Sequence, residues 1–221
     1  MMAYNLIVAR QMDNICYNDF IYNPFWAGVL NVLEKCGVET VVDIGASSGI
    51  SALWMLNRLT EVKEYYCFEP DVENYQMLLT NLEQFGDKII PYNYGIYYGQ
   101  TESEVFGIGD NSPLGYTTKG AMEIDPHHQF MKYEGKIFHF VELEKYIIDV
   151  PDLIKVDVEG SEYNIIEHST ILKQARYLLL AFHNKLEAEV LDFIKTYLPE
   201  YEIVIYGPDG TIYFNILLER K

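Results

Sequence analysis

The chain reads as an α/β domain, a mostly parallel sheet with helices on both faces and a C-terminal antiparallel hairpin. Three observations lead there. Short apolar runs rich in Val, Ile, Leu and Tyr alternate with segments of helical period, the pattern of strands joined by crossover helices. The run Val41-Val42-Asp43-Ile44 breaks into the turn Gly45-Ala46-Ser47-Ser48-Gly49, and a helical segment follows at once. The last two β-type runs are separated by Gly207-Pro208-Asp209-Gly210, a hairpin signal. No internal repeat or low-complexity linker divides the sequence, so residues 1–221 are expected to form one domain.

Residues 1–37 are expected to be an N-terminal arm and a helix. The arm has no clear period. Pro24 stands near a helix start, Phe25, Val29, Leu30, Val32 and Leu33 form a stripe, and Gly37 ends the segment after Cys36. The first strand is Thr40 to Ile44, and the helix after Gly49 runs from Ile50 to about Leu59. Ser47 and Ser48 offer hydroxyls to its unpaired N–H groups. The second strand, Glu64 to Phe68, stops at Glu69-Pro70. Asp71 caps a helix through Gln84, Gly86 ends it, and Lys88 to Tyr92 is the third strand.

Residues 96–146 are rich in glycine and read as short strands near Glu104–Phe106 and Ile137–Val141 with a loop between them. A loop of that length in a compact domain is usually functional, so 96–146 is the expected acceptor-binding insert; an irregular β excursion without a ligand is the alternative. The fourth strand is Asp152 to Asp157, and a helix starts near Ser161 with Ile165, Ile166 and Ile171. The fifth strand, Tyr177 to Phe182, ends at His183. Asn184 with Glu187 reads as a capping box for a helix that Pro199 stops. Tyr201–Tyr206 and Thr211–Leu218 close the sheet, with one antiparallel strand expected at an edge.

Sixteen basic against 33 acidic residues give a net charge of −17. Such a surface repels phosphate backbones, so nucleic acid is not an expected partner. Three widely spaced cysteines, Cys16, Cys36 and Cys67, match no metal-site spacing and suit a reducing, cytoplasmic location. No apolar run approaches the ~20 residues of a membrane span.

Ligands of open α/β sheets bind beyond the carboxyl ends of the strands. Those ends carry Asp43 and Gly45, Glu69, Asn93, Asp157 and Glu159, and His183. The turn is Asp-x-Gly-x-x-x-Gly, without the close glycines that seat a pyrophosphate. Gly45, Ala46, Ser47, Ser48 and Gly49 form a candidate cofactor cradle; a tight strand–helix connection is the bland reading of the same residues. Glu69, with Pro70 behind it, lies where an acid accepts bonds from both ribose hydroxyls, and Asn93 and Tyr94 flank the place for a nucleobase.

Asp43-Ile44-Gly45-Ala46, Phe68-Glu69-Pro70 and the run Leu153 to Glu162 resemble the FkbM-type S-adenosylmethionine-dependent methyltransferases, from about Val41 to His183. The resemblance implies a seven-stranded, Rossmann-like class I methyltransferase fold. It implies methyl transfer to a hydroxyl oxygen of a sugar or secondary metabolite; the expected acceptor is a carbohydrate hydroxyl, of a glycan sugar such as a deoxyhexose or of a similar small polyol. It also implies that Asp43, Gly45, Glu69 and Asp157 line the cofactor site. Ser47 stands where many methyltransferases outside this family have glycine.

A sugar hydroxyl is a weak acid, so its proton must be taken as the new bond forms. His183 is the first candidate base, with Asp157 and Glu159 orienting it or acting themselves. A divalent cation held by Asp157, Glu159 and His183 is the second possibility. The rival readings are a nicotinamide-dependent oxidoreductase and a non-catalytic domain that keeps the fold.

Overall fold

The computed structural model describes residues 22–108, 116–118, 130–183, 185–208 and 213–221, with side chains described outside 104–136, 208 and 213. The arm before Tyr22, Asn184 and the tip of the C-terminal hairpin therefore lie outside the described residues.

Helix α1 (Pro24–Leu33) starts with Pro24 in its first turn, and the Asn23 side chain accepts the Phe25 N–H at 3.0 Å. It ends before the expected Cys36, and Gly37 follows in the left-handed region. Strand β1 (Thr40–Ile44) leads through the turn to α2 (Ile50–Leu56). The cap of α2 is Gly49 itself, at φ 82°, and not a serine hydroxyl as expected. Only a glycine relaxes in that conformation at so tight a strand exit. Strand β2 (Glu64–Phe68) is followed by α3 (Val72–Leu82), where Asp71 accepts the N–H groups of Glu73 and Asn74 as the sequence predicts. A short 3-10 stretch, Glu83–Lys88, then leads into β3 (Ile89–Tyr92).

The strands expected near Glu104–Phe106 and Ile137–Val141 are present, and the described part of 96–146 is largely sheet. Strands β4 (Gly95–Ile96), β5 (Glu102–Ile108), β6 (Tyr116–Thr118) and β7 (Phe130–Val141) form a second sheet of four strands in the order β4-β7-β5-β6. Its glycines concealed the alternation, and a register shift between Glu104 and Phe106 interrupts it further. His127 and His128 lie outside the described residues. After the insert come β8 (Leu153–Val156), α4 (Glu162–His168), β9 (Tyr177–His183), α5 (Glu187–Tyr197), β10 (Tyr201–Pro208) and β11 (Tyr213–Arg220). The start of α5 is closed by Glu189, whose carboxylate accepts the Leu186 N–H at 2.9 Å, while the expected capping residue Asn184 is outside the described residues.

The main sheet has seven strands in the order β10-β11-β9-β8-β1-β2-β3. Only β11 runs antiparallel to its neighbours, and it lies between β9 and β10 rather than at an edge. Its residues explain the position: Phe214, Ile216, Leu217 and Leu218 are all buried, so both faces need cover. On one face Val42, Ile44, Ile154, Val156, Leu178 and Leu180 meet Ile165 and Ile166 of α4 and Val190 and Ile194 of α5. On the other, Val41, Tyr65, Leu153 and Leu179 meet α1, α2 and α3 through Leu30, Leu53 and Leu78. The strict alternation along each strand assigns every side chain to one of these two layers.

The insert is fastened to α4. The Asn164 side chain accepts the Tyr98 N–H at 2.8 Å and donates to the Tyr98 carbonyl at 3.1 Å. Glu144 accepts the Tyr98 hydroxyl and also the N–H groups of Thr170 and Ile171 at 2.7 and 3.2 Å. These donors hold the Glu144 carboxyl down at about 2 against the opposing effect of burial.

Candidate active site

The turn after β1 is drawn onto the ends of both neighbouring strands. Gly45 and Ala46 donate their N–H groups to the Phe68 carbonyl at 3.0 and 3.1 Å. Asp157 donates its N–H to Ile44 at 3.0 Å on the other side. A Cβ on Gly45 would stand 1.9 Å from the Asp157 carbonyl oxygen, so the close packing of β1 on β8 requires glycine there. Gly45 and Gly49 both have positive φ, and so does Ser47 at 49°. Ala46 is buried in the core, and the carbonyl of buried Ser48 accepts the Asn81 side-chain N–H at 2.8 Å.

Glu69 sits beneath this turn. One carboxylate oxygen accepts the Ser47 N–H at 2.9 Å, and the other accepts the Asp71 N–H at 2.9 Å. Burial raises its carboxyl to about 7, against the lowering effect of those two N–H groups. Asn93 donates to the carbonyls of Glu69 and Pro70 at 2.8 and 3.2 Å, so it shapes the loop that presents Glu69. Tyr94 packs on Tyr146, with ring centres 5.8 Å apart.

The resemblance implies a place for Asp43 in the cofactor site, and the structure sets it behind the turn. It is wholly buried and accepts Lys155 Nζ at 2.9 Å, Ser51 Oγ at 2.9 Å and Tyr65 Oη at 3.0 Å. The same Lys155 ammonium donates to the Gly45 carbonyl at 3.3 Å and lies 3.6 Å from Asp157 Oδ2. Lys155 thereby joins the turn to Asp157. Burial works against its charge, but Asp43 and Asp157 outweigh it and the pKa is raised.

Asp157, Glu159 and His183 meet in one cluster. His183 Nε2 lies 3.8 Å from Asp157 Oδ1 and 3.6 Å from Glu159 Oε2. Its Nδ1 is 2.6 Å from Glu162 Oε1, which also accepts the N–H groups of Val158 and Gly160. Burial would lower the imidazole pKa; Glu159, Glu162 and Asp157 reverse that and lift it to about 10. Glu162 was missed as a site residue, although it stands three positions past Glu159, where a helix start brings a carboxylate back onto the loop.

The residues suit S-adenosylmethionine by their chemistry. Glu69 is a buried acceptor set under the turn, matched to ribose hydroxyls, and the acids at the end of β8 complement a sulfonium charge. The strand order, with its single antiparallel strand, is that of the class I methyltransferase fold. Residues 43–202 match the model of the methyltransferase FkbM domain, and the chain belongs to that family. A methyltransferase FkbM from Methylobacillus flagellatus KT is 19% identical, with a TM-score of 0.55 over 83% of this chain and 44% of that one. The chain thus spans less than half of that relative. A putative tRNA (m1A22) methyltransferase from Streptococcus pneumoniae, solved with S-adenosyl-L-methionine, is 14% identical, with a TM-score of 0.50 over 87% and 72% of the two chains. An rRNA methylase from Streptococcus thermophilus is 12% identical, with a TM-score of 0.51 over 96% and 98%. At these identities the likeness is one of fold. Among the described residues no helix is long and apolar enough to cross a membrane.

Proposed function

We propose that the protein transfers the methyl group of S-adenosylmethionine to a hydroxyl oxygen of a carbohydrate, a glycan sugar such as a deoxyhexose or a similar polyol. The observation that carries this reading is the bridge at Lys155, which touches both the Gly45 carbonyl of the turn and the Asp157 carboxylate. On this reading the turn is the cofactor cradle and the cluster handles the proton, and their closeness at adjacent strand ends supports an in-line displacement.

The cofactor supplies a methyl on a sulfonium sulfur. Glu69 would hold the ribose, the backbone of residues 45–49 the amino-acid portion, and Asn93 with Tyr94 the adenine side. The acceptor hydroxyl would lie against Asp157, Glu159 and His183. The insert 96–146 starts just past Asn93 and grips α4 through Asn164, which supports its role as the acceptor-binding region. With its ring lifted to about 10, His183 already carries a proton at neutral pH, so it serves as a base only after that proton leaves. A divalent cation in the cluster would relieve this, and a neighbouring carboxylate acting as the base would bypass it.

RNA appears in the names of two of the structural relatives, but a net charge of −17 opposes a phosphate backbone. Calorimetry with S-adenosylhomocysteine is the first test: the wild type binds, and Glu69→Ala loses most of that affinity. Undiminished binding by the variant rejects the assignment of Glu69. Mass spectrometry of a sugar panel incubated with enzyme and methyl donor then reads a single-methyl gain, and His183→Ala lowers that rate ~10²–10⁴-fold while keeping cofactor binding. A gain on RNA and on no sugar would overturn the carbohydrate reading.

A further inference from the structure

We infer that Asp157, Glu159 and His183 bind one divalent cation of the Mg²⁺ or Mn²⁺ type, with Glu162 fixing the imidazole from behind. The inference rests on the methyl-transfer reading and names the device that activates the acceptor hydroxyl.

One ligand atom from each of the three residues lies within 4.8 Å of the others. Nε2 of His183 is 3.8 and 3.6 Å from the two carboxylates, too far for sound hydrogen bonds. Those gaps suit donors that close on a shared ion at roughly 2.1 Å each. Two carboxylate oxygens and one imidazole nitrogen are a ligand set for Mg²⁺ or Mn²⁺ rather than for a soft metal.

Glu162 supplies an independent observation. It is wholly buried, and its Oε1 is occupied by His183 Nδ1 and two backbone N–H groups. That leaves Nε2 as the nitrogen facing Asp157 and Glu159. A carboxylate on the far nitrogen is the usual support of a metal-bound histidine. Glu162 Oε2 is buried without any hydrogen-bond partner, so this carboxylate holds more negative charge than its donors satisfy. Lys155 is the ammonium recorded on Asp157, and it is shared with Asp43.

In the reaction the cation makes the acceptor hydroxyl more acidic. The hydroxyl proton leaves to water. The oxygen forms the new bond to the methyl carbon, and the sulfur keeps the electron pair of the bond that breaks.

Titration of the protein with Mn²⁺, followed by calorimetry and by water proton relaxation, tests the site with and without S-adenosylhomocysteine. The expected result is one Mn²⁺ per chain. Glu159→Gln weakens it at least tenfold, and Glu162→Gln weakens it about 10- to 100-fold. S-Adenosylhomocysteine binding stays within about twofold in Glu159→Gln, a loop substitution that leaves the core intact. Cofactor binding with no Mn²⁺ bound at millimolar concentration, or with Mn²⁺ affinity unchanged in Glu159→Gln, overturns the cation site alone. Loss of both ligands in the wild type overturns the methyl-transfer reading with it.

Discussion

Glu69 shows how much one carboxyl can decide. Its burial favours the protonated form more in the folded chain than in the unfolded one, where the carboxyl titrates near 4.5. The stability it contributes is therefore whole below that value and is lost as pH rises toward about 7. Binding a ribose diol calls for the anion, so cofactor binding expels a proton in the same window. S-Adenosylhomocysteine affinity should thus rise between pH 6 and 8, with proton release visible as a buffer-dependent calorimetric enthalpy; Glu69→Gln should flatten the trend. Glu69 was legible in the sequence because a strand, an acid and a proline follow one another there. The true setting of Asp43 was not. Its ion-pair partner Lys155 lies 112 positions away, and no local spacing reveals such a pairing. The same holds for Glu162 and His183, joined across 21 positions by the return of β9 to the sheet.

Among the elements, the turn after β1 has the least room for change. Gly45→Ala combines a left-handed backbone with a Cβ at 1.9 Å from a main-chain oxygen. Gly49→Ala, also in a left-handed backbone, meets the Leu82 side chain at 3.2 Å and the Leu78 Cα at 3.4 Å, a far milder clash. Urea denaturation should rank them accordingly, with about 3 kcal/mol or more lost at Gly45 and about 1–2 kcal/mol at Gly49. Equal losses would mean that β8 yields easily to the turn. Strands and helices of clear period were read correctly from the sequence, because each needs only its own neighbours. Helix ends, and the pairing of strands within the insert, were not. The helix after Gly49 stops at Leu56, and the second sheet pairs β5 with β7 across sequence positions whose glycines mask any alternation.

For the molecule as a whole, charge is the property with the widest reach. At −17 the protein should show no measurable retention of single-stranded or duplex RNA in a filter assay even at low salt. Salt-sensitive binding would mean that a local basic surface overrides the total. The seven-stranded sheet follows from the alternation of strands and helices, but its order does not, since β11 enters beside β9 rather than beyond β10. That insertion has a consequence for synthesis. While a ribosome is still making the chain, the rim of β9 stays bare until residues 213–220 have emerged, because no earlier segment occupies that groove. An unzipped apolar rim is what chaperones recognise and what neighbouring nascent chains stick to. The newborn polypeptide therefore depends on residues 213–220 to seal the sheet.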